Sequence, residues 1–123
     1  MTSDLIIRLT HVSKKFGQAL LAVDDLSLNI KEGEFITFLG PSGCGKSTAL
    51  KMIAGLLPVS AGSIEITPPS AVSEQDLGFV FQEPTLMPWA TVFDNVYLPL
   101  RLVGLRRSEV EPRVTQILKE VGL

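Results

Sequence analysis

Positions 40 to 48 read Gly-Pro-Ser-Gly-Cys-Gly-Lys-Ser-Thr, which contains the spacing Gly-x-x-x-x-Gly-Lys-Ser. These residue types at this spacing suit the binding of phosphates. Glycine allows a tight backbone curl that can approach an anion with no Cβ in the way. The curl turns several N–H groups inward as an anion nest, and a helix starting at the same point adds its partial positive charge. Gly40, Ser42, Gly43, Cys44 and Gly45 are expected to form the cradle. Lys46 places a charge near the β- and γ-phosphates, Ser47 offers a hydroxyl to Mg²⁺, and Thr48 offers a further hydrogen bond. The expected ligand is a nucleoside triphosphate with magnesium. The motif alone leaves kinase, GTPase and ATPase open.

Such a loop must be held between a strand and a helix. Glu34 to Leu39 is a short apolar run, as expected of a strand buried on both faces of a parallel sheet. Leu50, Ile53, Ala54 and Leu57 follow at helical spacing, predicting a helix with that face inward. Upstream, Leu5 to Leu9 and Val23 to Ile30 read as strands, and Lys31-Glu32-Gly33 as a turn. Pro58 to Gly62 should end the helix and reverse the chain into a short strand at Ile64 and Ile66. Leu77 to Gln82 reads as a second core strand. Thr91 with Asp94 predicts an N-cap opening a helix over Val92 to Leu102, with Pro99 kinking or interrupting it. Ser108 to Glu111 reads as a capping box. It precedes an apolar stripe of Val110, Val114, Ile117, Leu118 and Val121, and Gly122 is a C′ stop.

The 123 residues carry 46% hydrophobic and 20% charged residues, which suits one globular domain and excludes a disordered chain. A net charge of −2 gives no electrostatic footprint for nucleic acid, so none is expected as a partner. The single cysteine, Cys44, leaves no internal disulfide and suits a reducing cytoplasm. No stretch is long and apolar enough to cross a bilayer as a helix, and Asp4 and Arg8 stand where a signal peptide would be apolar.

Three features in order resemble the nucleotide-binding subunit of ABC transporters: Val12 to Gly17, the phosphate loop, and Val80-Phe81-Gln82-Glu83-Pro84. Leu86 to Val96, with its Pro88-Trp89 pair and Asp94-Asn95-Val96, is also similar to that family. It looks most like importers of nitrate, sulfonate, taurine and related solutes. The resemblance implies an α/β fold: a P-loop NTPase core of mixed sheet and flanking helices beside a small antiparallel β subdomain, then the start of an α-helical subdomain. The expected divisions are residues 1–82 for the core, 83–90 for the Q-loop and 91–123 for the helical part.

The resemblance further implies ATP as ligand with its adenine on Phe16, and Gln82 as a ligand of Mg²⁺, with Ser47, and as the residue that positions water. Lys46 and Gln82 are then the catalytic candidates. The implied partners are a transmembrane permease, a second ATP-binding subunit in a homodimer and, indirectly, an extracytoplasmic solute-binding protein. The implied place is cytoplasmic, peripheral on the inner face of the membrane. Trp89 could serve either permease docking or internal packing. Cys44 is a small residue filling the loop whose thiol could be reactive, and His11 reads as a strand-end surface residue. Lys14 and Lys15 read as solvated, within reach of phosphates.

The Leu-Ser-Gly-Gly-Gln signature, a strand ending in Asp-Glu, and a later switch histidine do not occur in the 123 residues. The expectation is therefore the N-terminal part of a longer subunit, hydrolysing ATP very slowly or not at all by itself. The alternatives are a non-catalytic remnant that at most binds nucleotide, an ABC ATPase without a permease, and a generic P-loop kinase.

Overall fold

A computed structural model describes residues 4–67 and 77–123, which fall into two units, Met1–Phe79 and Val80–Leu123. In the first unit, β1 (Leu5–Phe16), β2 (Leu20–Lys31) and β3 (Ala61–Ile66) form an antiparallel sheet in the order β2-β1-β3. α1 (Lys46–Ile53) lies between β2 and β3 in sequence. Both hairpin strands are longer than the apolar alternation alone predicted.

Their pairing carries four register shifts, of which the one after Leu9 is the most distorted in backbone. The β1–β2 register shifts between Leu9 and Val12, and His11 and Asp25 adopt φ of 48° and 51°. Left-handed backbone at non-glycine residues is unfavourable unless the surroundings hold it. Here the hydroxyls of Ser27 and Ser13 accept the backbone N–H of His11 and Asp25, each at 3.0 Å. The two side chains also pair, with His11 Nδ1 2.6 Å from Asp25 Oδ1. Because the bulge inserts a residue, Leu9 and Val12 face the same side although three apart, and both are fully buried. His11 is thus a mid-strand bulge residue, not a strand end. β3 approaches so closely there that a Cβ at Gly62 would overlap the His11 carbonyl oxygen.

The core of this unit is Leu9, Val12, Val23, Ala49, Met52 and Ile53, with Ile7, Leu26, Leu28, Phe38, Leu57, Val59 and Ile64 packed around it. The inward face of α1 is therefore Ala49, Met52 and Ile53, and Leu50 points to solvent. The predicted face is corrected by one residue step, because the helix is rolled to bring Met52 onto the sheet. The helix also ends earlier than Pro58. Gly55, at φ 76°, donates to the Met52 carbonyl and Leu56 to that of Lys51, a Schellman closure.

Neither Glu34–Leu39 nor Leu77–Gln82 is a strand. Phe35, Leu39 and Val80 are 94%, 89% and 95% exposed, the reverse of the buried reading. A parallel strand exists only within a ladder, and the described sheet consists of β1, β2 and β3. Of the first run, Phe38 alone packs against the core. The turn expected at Lys31–Gly33 is present, with Gly33 at φ 79°.

In the second unit, α2 (Val92–Leu102) opens at Thr91, whose hydroxyl accepts the Asp94 N–H at 3.1 Å. It continues through Pro99, the eighth of its eleven residues, which forgoes the bond that an N–H there would make to the Asn95 carbonyl. α3 (Arg107–Glu120) is capped two residues earlier than Ser108 suggested: Glu109 accepts the Arg106 N–H at 2.8 Å. Val110 and Val114 are buried, whereas Ile117 and Val121 of the predicted stripe are exposed. The Arg107 guanidinium sits 4.2 Å from the Phe93 ring centre and 3.0 Å from Asp94, and the Tyr97 hydroxyl donates to the Leu105 carbonyl at 2.9 Å. These contacts tie α2 to α3. Gly104 and Gly122 close the two helices as Gly55 closes α1.

Candidate nucleotide-binding site

The phosphate loop enters α1 through Gly45, which is its N-cap at φ 95°. A Cβ there would overlap the Ala22 carbonyl oxygen on β2 and stand 3.2 Å from Val23 Cγ2. Only glycine satisfies both the left-handed φ and this close approach. The loop is thus pinned to the β1–β2 hairpin at one backbone contact. Gly43, at φ 80°, makes the preceding curl, and the Cys44 N–H donates to the Pro41 carbonyl at 3.3 Å.

The start of α1 has no side-chain cap and no acidic residue in its first turn. Its first N–H groups lack intrahelical acceptors by geometry, so an anion can take that place. Lys46 is half-buried and folds back over the loop. Its ammonium donates to the carbonyls of Gly40 at 2.5 Å and Pro41 at 2.9 Å, and lies 3.4 Å from Cys44 Sγ. Gly40 is constrained from the same side, since a Cβ would stand 2.7 Å from that sulfur. Ser42, Gly43 and Ser47 are exposed, and Thr48 is half-buried. The donor set of curled backbone amides, one ammonium and two hydroxyls fits a polyphosphate. The exposed Ser47 hydroxyl is a hard oxygen, which fits one ligand of a Mg²⁺ ion completed by phosphate and water oxygens. Among the described residues, no group of three acidic, histidine or cysteine side chains could hold a metal by itself.

Phe16 ends β1, paired with Leu20 across the Gly17–Ala19 turn, and its ring is 41% exposed. Ala22 stands two residues further along β2, so the hairpin places Phe16 about 8 Å from the loop's anchor at strand spacing. The Lys14 ammonium lies 5.4 Å from the Phe16 ring centre and donates to the Pro58 carbonyl at 2.7 Å. Lys14, read from the sequence as solvated, is thus held by the Pro58 carbonyl. Gln82 is exposed in the second unit, in a bend ahead of Pro84. Trp89 is 82% exposed, so internal packing is not its role in this structure.

Sequence reasoning missed Ala22 and Asn95. Ala22 acts through its carbonyl, which no side-chain pattern reveals. Asn95 binds the loop before α2, and its place four residues after the Thr91 cap was the available signal.

Cys44 is exposed and touches the Lys46 ammonium. Alkylation with N-ethylmaleimide is expected to block nucleotide binding, and bound nucleotide to protect the thiol. Full binding after stoichiometric modification, read by mass spectrometry and titration, would contradict this.

A glycine-rich phosphate loop anchored on an antiparallel hairpin and opening a helix defines a P-loop nucleotide-binding cassette. Two solved structures share the fold. A dimeric bacterial ABC transporter cassette, MJ0796, superposes with a TM-score of 0.81 at 34% identity, covering 93% of this chain and 56% of that one. Its post-hydrolysis dimer bound to ADP and Pi gives 0.75 at 33% identity, with the same coverage. The chain matches the ABC transporter family over residues 23–123 and belongs to it. Among curated relatives, it is 41% identical to an oligosaccharides import ATP-binding protein of Bacillus subtilis, over 95% of this chain and 33% of the relative. It is 42% identical to a trehalose/maltose import ATP-binding protein of Thermococcus litoralis, over 95% and 34%. It is 43% identical to a spermidine/putrescine import ATP-binding protein of Aliivibrio fischeri, over 98% and 33%. The chain spans about a third of the length of these relatives. Their names carry sugars and polyamines, and so do not support the nitrate, sulfonate and taurine subgroup expected from the Pro88-Trp89 loop.

Proposed function

We propose that this chain is the nucleotide-binding portion of the ATP-binding subunit of an ABC importer, which couples ATP binding and hydrolysis to uptake of a small solute. The observation that carries the proposal is the phosphate loop: Gly45 seated on the Ala22 carbonyl, an uncapped α1 start, and Lys46 poised over the loop. The named relatives favour a sugar or polyamine as the solute class.

In this reading Phe16 stacks on adenine, which at about 1–3 kcal/mol is enough to favour a base-bearing ligand over bare polyphosphate. The amides of residues 43–48 and the Lys46 ammonium hold the phosphates. Ser47 and Gln82 are the residues that would hold Mg²⁺, and the Gln82 amide would orient the attacking water. The metal, when bound, neutralises charge on the phosphate oxygens. The partners are a transmembrane permease, a second ATP-binding subunit and, through the permease, a solute-binding protein. The place of action is the cytoplasmic face of the membrane. Trp89 and its loop contact the permease, since an exposed tryptophan suits a binding hot spot.

The test is titration of the 123-residue chain with a fluorescent ATP analogue, with and without Mg²⁺, beside a phosphate-release assay. Saturable, magnesium-enhanced binding with no measurable turnover is expected, because no strand ending in Asp-Glu is present to supply the catalytic carboxylate. Absence of binding would refute the site, and robust turnover would refute the assigned division of labour.

A further inference from the structure

The segment Met87-Pro88-Trp89-Ala90 is a tight turn closed by the Ala90 N–H on the Met87 carbonyl at 3.2 Å. Pro88 occupies the position where its fixed φ favours such a turn, and Trp89 follows at the tip. A single side chain holds this turn from the inside. Asn95 Oδ1 accepts the Met87 N–H at 2.7 Å. Its Nδ2 donates to the Met87 carbonyl at 3.2 Å, to the Thr91 carbonyl at 2.9 Å and, more weakly, to the Ala90 carbonyl at 3.4 Å. The amide therefore binds a donor and an acceptor of the same residue, Met87, and also grips the far end of the turn. Asn95 is itself fixed, being the fourth residue of α2, where its own N–H donates to the Thr91 carbonyl at 3.0 Å.

We infer that Asn95 is a positioning residue: it clamps the Met87–Thr91 turn to the start of α2, so that Trp89 is presented to the permease in one orientation. An exposed indole on a loose loop loses conformational freedom when it docks, and a clamp lowers that cost in advance. Only a side chain with an amide group has both the acceptor that the Met87 N–H needs and the donors that the turn's carbonyls need. This inference rests on the importer reading above for the identity of the partner, but not for the clamp itself.

Trp89 is the one tryptophan of the chain, which gives the clamp its own optical signal. The variant is Asn95→Asp. It keeps an acceptor for Met87, removes every donor, and leaves an acidic group in the first turn of α2, where it favours the helix. Time-resolved anisotropy of Trp89 in the 123-residue chain is expected to show at least about a twofold rise in the amplitude of nanosecond motion, with far-UV circular dichroism unchanged. Asn95→Ala, which adds no charge, gives the same readout should the carboxylate disturb the helix. Unchanged Trp89 motion in both variants overturns the clamp.

The second measurement uses the complete subunit and vesicles carrying its permease. Asn95→Asp and Trp89→Ala are both expected to weaken association about tenfold and to leave ATP-analogue binding unaltered. Weakening by Trp89→Ala but not by Asn95→Asp overturns the positioning role while sparing the docking reading. No effect from Trp89→Ala overturns the docking reading itself, whatever the anisotropy shows.

Discussion

Gly45→Ala is expected to abolish nucleotide binding and to lower the stability of the chain by about 2–3 kcal/mol. Two independent costs meet at this residue. A φ of 95° is strained for any residue with a Cβ, at about 1–2 kcal/mol. The added methyl would also overlap the Ala22 carbonyl oxygen, which is backbone and has no rotamer to escape into. Relief requires the loop to lift off β2, which spreads the amide nest that the phosphates need. Thermal unfolding should fall by roughly 10 °C, at about 4–8 °C per kcal/mol for a chain somewhat shorter than this one. ATP-analogue titration should show no saturation. Wild-type melting and binding in this variant would mean that the loop is not seated on the hairpin.

Lys46→Ala acts by charge alone. The ammonium contributes charge-assisted hydrogen bonds worth about 1.5–3 kcal/mol, so affinity for the triphosphate should fall by about 10²-fold. Stability should change little, because the bonds that Lys46 makes to the Gly40 and Pro41 carbonyls lie at the surface, where water replaces it. Lys46→Arg is not expected to restore binding, since a planar guanidinium cannot occupy the compact position of an ammonium between those carbonyls. The comparison to make is triphosphate against monophosphate. A true β,γ-phosphate contact loses the preference for the longer ligand, and an unchanged preference would move Lys46 out of the site.

The parts legible in the sequence were those written in local chemistry. The phosphate loop, the Thr91 cap and the Gly122 stop each depend on a few neighbours, and each was readable as such. The strands β1, β2 and β3 were readable because alternation marks one buried face. Glu34–Leu39 and Leu77–Gln82 were misread for the complementary reason. An apolar run says that a segment can be buried, while a parallel strand is made by neighbours distant in sequence. The His11 and Asp25 bulge was invisible because, although both residue types tolerate a positive φ better than most, they rarely adopt one, and the serines that hold it lie 16 and 12 residues away. The seat of Gly45 on Ala22 was hidden in the same way, being backbone against backbone.

That seat means that the hairpin measures distance along the ligand. Phe16 pairs with Leu20, and Ala22 is the extra residue between the Lys15–Leu21 and Lys14–Val23 pairs, so the spacing between the proposed adenine platform and the phosphate loop is counted in residues. A residue added within the Gly17–Ala19 turn is absorbed outside the ladder and leaves that count intact. One added between Leu20 and Ala22 shifts the count by a strand step of about 3.3 Å and turns the carbonyl to the opposite side. Length variation should therefore be tolerated at the tip of this hairpin and excluded a few residues below it, even where the strand, at Leu20 and Leu21, is still exposed to solvent.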